Sequence, residues 1–300
     1  MVPAPPNPPS VKSKSPIDRM ISECLDLGKP RIGFGLRSLN ETVMKSLLRC
    51  QKYAQIVLVG PAAIAGAKGF EVVVDDEPEK KLARLLFEGN VEGAIRGTLD
   101  SLLIRECYSA LAGRDMEKDA ELHALMENTH GCHFFLSTIS NPTGWRIEDK
   151  IASCEALAHF LKSQLKVKPK VGCLAGLPRD DYLRKKEARE GMQGVLNQTY
   201  EDAEIVVAHL NAKGIEAKNY DIEIDAAIRD GCNIVVPQNG MAGSLIFRTL
   251  AFLGGGKMLA CPTIGFPQPF ENNTIGETDF MGHIRWLVSW VNSRKRKPKN

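Results

Sequence analysis

Polar and glycine residues follow an apolar, β-branched run in the stretch PQNGMAGSLIFRTL, residues 237–250. Asn239, Gly243 and Ser244 lie where a buried strand gives way to a helix, and Arg248 lies one helical turn beyond Ser244. The first N–H groups of a helix lack internal partners and carry partial positive charge, so they suit phosphate, a carboxylate or an oxyanion. The pattern predicts an anion site here. The alternative is a tight turn with a helix cap, which explains the glycines without a ligand.

Two further stretches place ionisable groups in predicted loops. LAGLPRDD, residues 174–181, ends a strand in small residues and offers Arg179, whose guanidinium can hold a phosphate or a carboxylate. In NYDIEIDAAIRDG, residues 219–231, Asp225 stands where a short helix begins, and its carboxylate can accept a proton or orient a ligand. For both stretches the alternative is a charged surface that faces solvent.

The glycines after the first strand do not complete a dinucleotide site. Gly33 and Gly35 are present, but Ser38 stands where the fingerprint needs a third glycine. The second strand also ends without the carboxylate that holds ribose hydroxyls, which argues against a nucleotide or S-adenosylmethionine site. The spacing of Ser38 and Glu41 predicts a capping box instead.

A metal site is not predicted either. His130, Cys132 and His133 cluster in NTHGCHFF, residues 128–135, but a closed zinc site needs four ligands, and no second cluster follows. The interpretation we favour is a loop histidine followed by a half-buried strand histidine.

The elements that must position these residues alternate between short β-branched runs and longer helical ones. Such alternation predicts an α/β protein with mostly parallel sheets, covered on both faces. The boundary between two domains is expected in STISNPTGWRIED, residues 137–149, which has an Asn-Pro turn and polar flanks. The predicted strands are 31–34, 55–59, 71–74, 91–95, 132–138, 170–174, 215–219, 233–236 and 257–261; the predicted helices include 79–88, 149–165 and about 184–213.

Composition restricts the class of protein. The chain has 300 residues, 43% of them hydrophobic, and a net charge of +3. The basic residues near its two ends contribute more positive charge than the net charge of the whole chain, so the rest of the chain is net negative. That charge does not predict a nucleic-acid-binding surface. Eight cysteines without a C-x-x-C motif predict buried free thiols in a cytoplasmic protein. No apolar run is long enough to predict a membrane span.

The order of motifs resembles the phosphate acetyl/butyryltransferase superfamily. GNVEGAIRG, residues 89–97, is similar to its G-x-V-D-G-x-V-x-G segment, and DIEIDAAI, residues 221–228, is similar to its G-P-L-x-x-D-A-A segment. The stretch 232–257 resembles its A-N-V-L-I-x-P-x-x-x-A-G-N-x-x-Y-K segment, with Ser244 in place of Asn and Arg248 in place of Lys. These enzymes have a Ser-Arg pair after the final strand. Here Glu271, Asn272 and Asn273 stand around that position, and Asp279 aligns with the catalytic Asp that follows the pair.

The GLPRDD loop and the stretch 236–250 resemble the divergent branch known as methanogenesis marker protein 4, also described as methyltransferase subunit X. The resemblance implies two α/β domains around a cleft, as in isocitrate and isopropylmalate dehydrogenases. The expected division is 17–141 with 263–292, and 142–262, between a disordered leader, 1–16, and a basic disordered tail, 293–300. The resemblance also implies a homodimer and a methyl transfer linked to tetrahydromethanopterin.

The predicted cleft holds a small anionic or phosphate-bearing ligand, with Asp225 or Asp279 as base or orienting group. A tetrahydromethanopterin derivative or coenzyme A is the expected cofactor, and a methyltransferase complex is an expected partner. Two alternatives stay open: an acyl-CoA:phosphate acyltransferase, and a binding or assembly partner that kept the fold without the chemistry. The residues expected to bind the ligand are Ser140, Asn141, Arg179, Asn239, Gly243, Ser244 and Arg248.

Overall fold

The computed structural model describes residues 15–113, 115, 121–139, 143–274 and 276–296. Ser140 and Asn141, which the sequence places in the cleft, lie outside the described residues. Helix α1 already begins at Pro16, because Ser15 and Asp18 form a capping box, so it starts within the segment assigned to the leader.

The first sheet of the described chain is parallel throughout and has the strand order β13-β4-β1-β2-β3. Its strands and the helices that cover it come mostly from the first third of the chain. Their bounds are β1 (Arg31–Gly35), β2 (Gln55–Gly60), β3 (Glu71–Val74), β4 (Gly93–Ile95), β13 (Phe270–Glu271), α2 (Glu41–Cys50), α3 (Pro78–Phe87) and α4 (Ser101–Ala112).

The second sheet has the order β11-β6-β7-β10-β8-β9; β7, β10, β8 and β9 run parallel, while β6 pairs antiparallel with both β7 and β11. A short antiparallel pair, β5 with β12, stands apart from it. The strands are β5 (Glu121–Leu122), β6 (Ala124–Glu127), β7 (His133–Leu136), β8 (Lys170–Cys173), β9 (Glu216–Asn219), β10 (Ile234–Val236), β11 (Lys257–Ala260) and β12 (Thr263–Ile264).

The remaining helices are α5 (Ile147–Phe160), which continues into a π-helical turn over Leu161–Leu165, α6 (Arg179–Lys185), α7 (Gly191–Ala212), α8 (Ile224–Arg229), α9 (Gly240–Phe252) and α10 (Met281–Lys295). The long helix predicted from about 184 to 213 is therefore two helices. Gly191 has a positive φ of 61° at the break, a conformation that glycine adopts readily.

The strand pairing shows where the chain passes from one sheet to the other. Strands β6 and β7 already pair within the second sheet, before the stretch 137–149 in which the sequence places the boundary. The sequence could not show this, because the strands that join β6 and β7 to the rest of this sheet, β11 and β10, lie far away along the chain. Division into the two domains as bounded above stays a prediction.

Helix α10 joins the two halves of the core. It packs against α1, α2, β4 and β11, and its Trp286 is 1% exposed. The ring centroids of Trp286 and Phe135 on β7 are 5.7 Å apart. Those of Phe280, at the start of the helix, and Phe34 on β1 are 4.7 Å apart. Burying rings of this size contributes roughly 2–3 kcal/mol each. The helix extends to Lys295, past residue 292 where the first domain is expected to end, and Ser293, assigned to the tail, is buried within it.

Candidate functional site

The residues expected to bind an anion after β10 form a well-capped helix start. The side chain of Asn239 accepts the N–H of Ala242 at 3.0 Å, and the N–H of Gly243 donates to the Asn239 carbonyl at 2.9 Å. The N–H of Gly240 donates to the carbonyl of Thr143 at 2.9 Å. Three of the amides that would meet a ligand here are thus already bonded within the protein.

Close packing also explains the glycine at 243. A Cβ there would lie 2.3 Å from the carbonyl oxygen of Thr138, at the end of the neighbouring strand β7. Thr138 has a φ of 48°, which is uncommon for a β-branched residue, and its buried hydroxyl has no partner among the described residues. Ser244 is half-buried on α9, and Arg248 is exposed one turn later.

Arg179 lies at a different place, in a groove beside the edge strand β9, and Asp225 lies on the short helix α8, of which Ala226 and Arg229 line that groove. Arg179 begins α6, and its backbone N–H donates to the carboxylate of Asp221 at 3.1 Å. Asp225 lies in the first turn of α8, is 65% exposed and forms an ion pair with Arg229. The groove of about 710 Å³ along this edge, which we call the β9 groove, is lined by both positive and negative groups: Arg179, Lys218, Arg229, Glu204, Asp221, Glu223 and Asp230, with Tyr200 and Tyr220.

Asp279 belongs to the first sheet's side of the molecule. Its carboxylate accepts the Ser46 hydroxyl at 2.9 Å and the N–H of Met281 at 3.2 Å, and Arg49 lies 3.3 Å away. These contacts fasten α2 to the start of α10. The structure thus distributes the residues expected in one cleft over three places: the start of α9, the β9 groove and the junction of α2 with α10.

A second cavity, of about 660 Å³, lies at the carboxyl ends of β1 and β4, and we call it the β1–β4 pocket. Open parallel sheets place their ligands at this edge. Gly97 lets the two strand ends approach, because a Cβ at its φ of 62° would lie 1.9 Å from the Gly35 carbonyl oxygen. The pocket is lined by Arg37, Ser38, Asn40, Val43, the run 96–102, Gly276, Glu277 and Thr278.

Arg96 is the most constrained side chain of this pocket. It is 5% exposed, and its guanidinium donates to the carbonyls of Asn273 at 2.7 Å and Leu99 at 3.3 Å. Its Nε–H has no partner among the described residues. Burial lowers the pKa of Arg96, but an arginine keeps its charge at any ordinary pH. A buried cation with a free donor suits an anionic ligand group.

Four further charged groups lie in or beside this pocket. Arg37 is half-exposed and forms an ion pair with the buried Glu79, which also accepts the N–H of Asp100 at 3.0 Å. The carboxylates of Asp100 and Glu277 line the same space. Apart from the Arg37–Glu79 pair, the pocket therefore presents one buried guanidinium group and two carboxylates, which complements a ligand that bears both an anion and a hydrogen-bond donor.

Sequence reasoning did not single out Arg96, although it lies inside the quoted GNVEGAIRG segment. Around the expected Ser-Arg position, Glu271 and Asn273 are buried, and the guanidinium beside Asn273 comes from Arg96, directly after β4. A substitution of this kind is invisible in the sequence, because residues 96 and 273 are far apart along the chain.

Proteins of similar sequence are known. No family model matches the chain. A protein of Methanosarcina barkeri named "Putative methyltransferase mtx subunit X" is 34% identical over 241 residues, which cover 79% of this chain and 84% of that one. A protein of Methanosarcina acetivorans with the same name is 35% identical over 243 residues, covering 79% and 82%.

Solved structures confirm the fold. A branched-chain phosphotransacylase from Enterococcus faecalis superposes with a TM-score of 0.64 at 14% identity, covering 87% of this chain and 99% of that one. The EutD phosphotransacetylase from Staphylococcus aureus superposes with a TM-score of 0.61 at 11% identity, covering 94% and 99%. The predicted α/β fold of the phosphate acetyltransferase type is thus confirmed. No helix of the described residues is long and apolar enough to cross a membrane.

Proposed function

Because the chain belongs to the mtx subunit X family, we propose that it is a methyltransferase subunit that binds a phosphate-bearing substrate in the β1–β4 pocket. The methyl-transfer part of the proposal rests on the names of the relatives. The location rests on the structure, and above all on Arg96, a buried guanidinium with an unpartnered Nε–H at the carboxyl edge of a parallel sheet.

The residues present suit the cofactors that the family resemblance implies. Tetrahydromethanopterin derivatives and coenzyme A both carry phosphate, which Arg96 and Arg37 would hold through charge-assisted hydrogen bonds. When bound, the pterin would supply the methyl group, while this chain's residues would orient the substrate. We place the proton-accepting role on Glu277, which lines the pocket, because the Asp279 carboxylate holds α2 against α10.

Calorimetric titration of the full chain with methyl-tetrahydromethanopterin, coenzyme A and inorganic phosphate tests the location. In Arg37→Gln we expect the affinity of a phosphate-bearing ligand to fall about tenfold or more, since one charge-assisted bond is lost. Lys45→Gln, on the exposed face of α2, is the charge-matched control. An unchanged affinity in Arg37→Gln together with a loss in Arg248→Gln or Arg179→Gln would move the site to the start of α9 or to the β9 groove.

Turnover assays then separate the reaction types. Formation of the demethylated pterin from its methyl derivative in the presence of a thiol supports the methyltransferase. Formation of acetyl-CoA from acetyl phosphate and coenzyme A would instead make the chain an acyltransferase of the type suggested by its fold. Co-purification of the chain with a methyltransferase, with no turnover or ligand binding by the chain alone or by the co-purified complex, would show that it is an assembly partner.

We further propose a cytoplasmic homodimer that forms through α9. Met241, Leu245 and Phe252 are 51%, 61% and 61% exposed and follow one another along that helix. An apolar stripe of this kind commonly marks a protein interface. In sedimentation velocity, Leu245→Glu should yield monomers, whereas Leu27→Glu, an equally exposed leucine elsewhere, should leave the dimer intact. A wild-type chain that sediments as a monomer contradicts this part of the proposal.

A further inference from the structure

Three ionisable side chains form a line from the interior to the β1–β4 pocket. Nδ1 of His283 lies 2.8 Å from a carboxylate oxygen of Glu271, and its Nε2 lies 3.8 Å from a carboxylate oxygen of Glu277. The side chains of Glu271 and His283 are 0% and 2% exposed, while Glu277 is partly exposed and lines the pocket. The line thus has one closed end and one end open to a ligand.

Both ends of this line are held in place. Glu271 lies on β13 and accepts the backbone N–H of Cys261, while Glu277 accepts the N–H groups of Thr278 at 3.1 Å and Asp279 at 3.2 Å. The second oxygen of Glu271 has no partner among the described residues. Taking a carboxylate and an imidazolium out of water costs free energy that their mutual attraction repays only in part, so this pair is costly to keep for packing alone.

The electrostatics favour the ionised form of Glu277, the end of the line that opens to the pocket. Burial disfavours the imidazolium, but the hydrogen bond to Glu271 and the nearby carboxylate of Glu277 outweigh burial and raise the pKa of His283 to about 9. The same imidazolium lowers the pKa of Glu277. The other charged and titratable groups near this line are Cys261 in the turn after β11, Arg105 on α4, Arg96 after β4 and Asp279 before α10.

We propose that Glu277 is the proton-accepting residue of the β1–β4 pocket and that His283 and Glu271 are positioning residues that hold its carboxylate ionised. The proposal rests on the function assigned to this pocket above. One proton passes from a thiol, hydroxyl or amine of the bound substrate to a carboxylate oxygen of Glu277. The electron pair of the broken X–H bond stays on the heteroatom, which becomes the nucleophile.

Nuclear magnetic resonance of the full chain tests the coupling without any substrate. We expect one of the six histidines to stay protonated up to a pH of about 9, and the resonance lost in His283→Gln to identify it. Glu277→Gln and Glu271→Gln should each lower the pKa of His283 by about one unit or more, because each removes a nearby negative charge. A His283 pKa that is the same in Glu277→Gln as in the wild type overturns the proposal.

The pH dependence of turnover tests the role in the reaction. With whichever pair of probes above is turned over, Glu277→Gln should lower kcat at least tenfold with little change in KM, and Glu277→Asp should restore part of it. Glu271→Gln, which preserves the side-chain volume, should lower the pKa of His283 and move the acid limb of kcat/KM to higher pH.

The two tests fail in different ways. If no probe is bound or turned over, the assigned function of the pocket fails, while the resonance titration still decides whether the three groups are coupled. If a probe is turned over and Glu277→Gln keeps wild-type kcat, the proton-accepting role is wrong even though the pocket is correct. Equal melting temperatures of the variants, checked beforehand, separate both outcomes from simple unfolding.

Discussion

Replacing Gly243 with alanine decides between the two explanations of the glycine that follows β10. The new Cβ would lie 2.3 Å from the carbonyl oxygen of Thr138 and 3.2 Å from Cγ of Pro237. The first contact is with backbone, and Thr138 already has a φ of 48°, so relief requires the start of α9 and the end of β7 to move apart.

The magnitude follows from two opposing terms. Forcing an extra group into a packed site costs about 1–3 kcal/mol, while alanine in place of glycine inside a helix contributes up to about 1 kcal/mol. We expect a net loss of roughly 1–2 kcal/mol in the free energy of unfolding. At about 2–4 °C per kcal/mol, the melting temperature should fall by several degrees.

The assay is urea and thermal unfolding of the ligand-free chain, with Gly282→Ala as the matched control. Gly282 also lies in the first turn of a helix, but the nearest atoms to its Cβ position are 3.5 Å away, so alanine there should be neutral or stabilising. If Gly243→Ala unfolds at the wild-type urea concentration yet binds phosphate-bearing ligands more weakly, packing is not the reason for the glycine, and the ligand explanation holds.

Three further outcomes are expected. Lys150→Gln should lower the free energy of unfolding, measured in urea, by about 3–5 kcal/mol, because the nearly buried carboxylate of Asp202 loses the ammonium group that lies 3.0 Å from it. Lys45→Gln, at an exposed position, should change the free energy of unfolding by less than about 0.5 kcal/mol. Burial opposes the charge on His133, but the two neighbouring carboxylates outweigh burial and raise the pKa of His133. The stability of the wild type relative to His133→Gln should therefore be greatest below a pH of about 6.5 and disappear as the pH rises through the raised pKa. Urea midpoints of both proteins across that pH range measure it. In the native protein Cys107 and Cys132 should react with a thiol reagent before the six buried cysteines, as mass spectrometry of labelled peptides would show.

Local sequence determined the elements and several of their ends. The predicted strands 31–34, 55–59 and 71–74 match β1, β2 and β3 closely, because short β-branched runs between turn residues have few other ways to satisfy their backbone groups. The cap of α9 was also readable, since Asn239 bonds an amide three residues away. The order of motifs was sufficient to predict the fold and the family, and the relatives and solved structures confirm both.

Tertiary structure alone decided which polar residues meet. Arg96 contacts the carbonyl of a residue 177 positions away, and His283 reaches back to Glu271 across a turn of the chain between β13 and α10. Strand β6 was missed; it pairs antiparallel with β7, the next strand along the chain, on one side and with the distant β11 on the other. Hydrophobic periodicity reports which face of an element is buried; it carries no information about which buried polar group lies opposite, and that pairing is what forms the pocket.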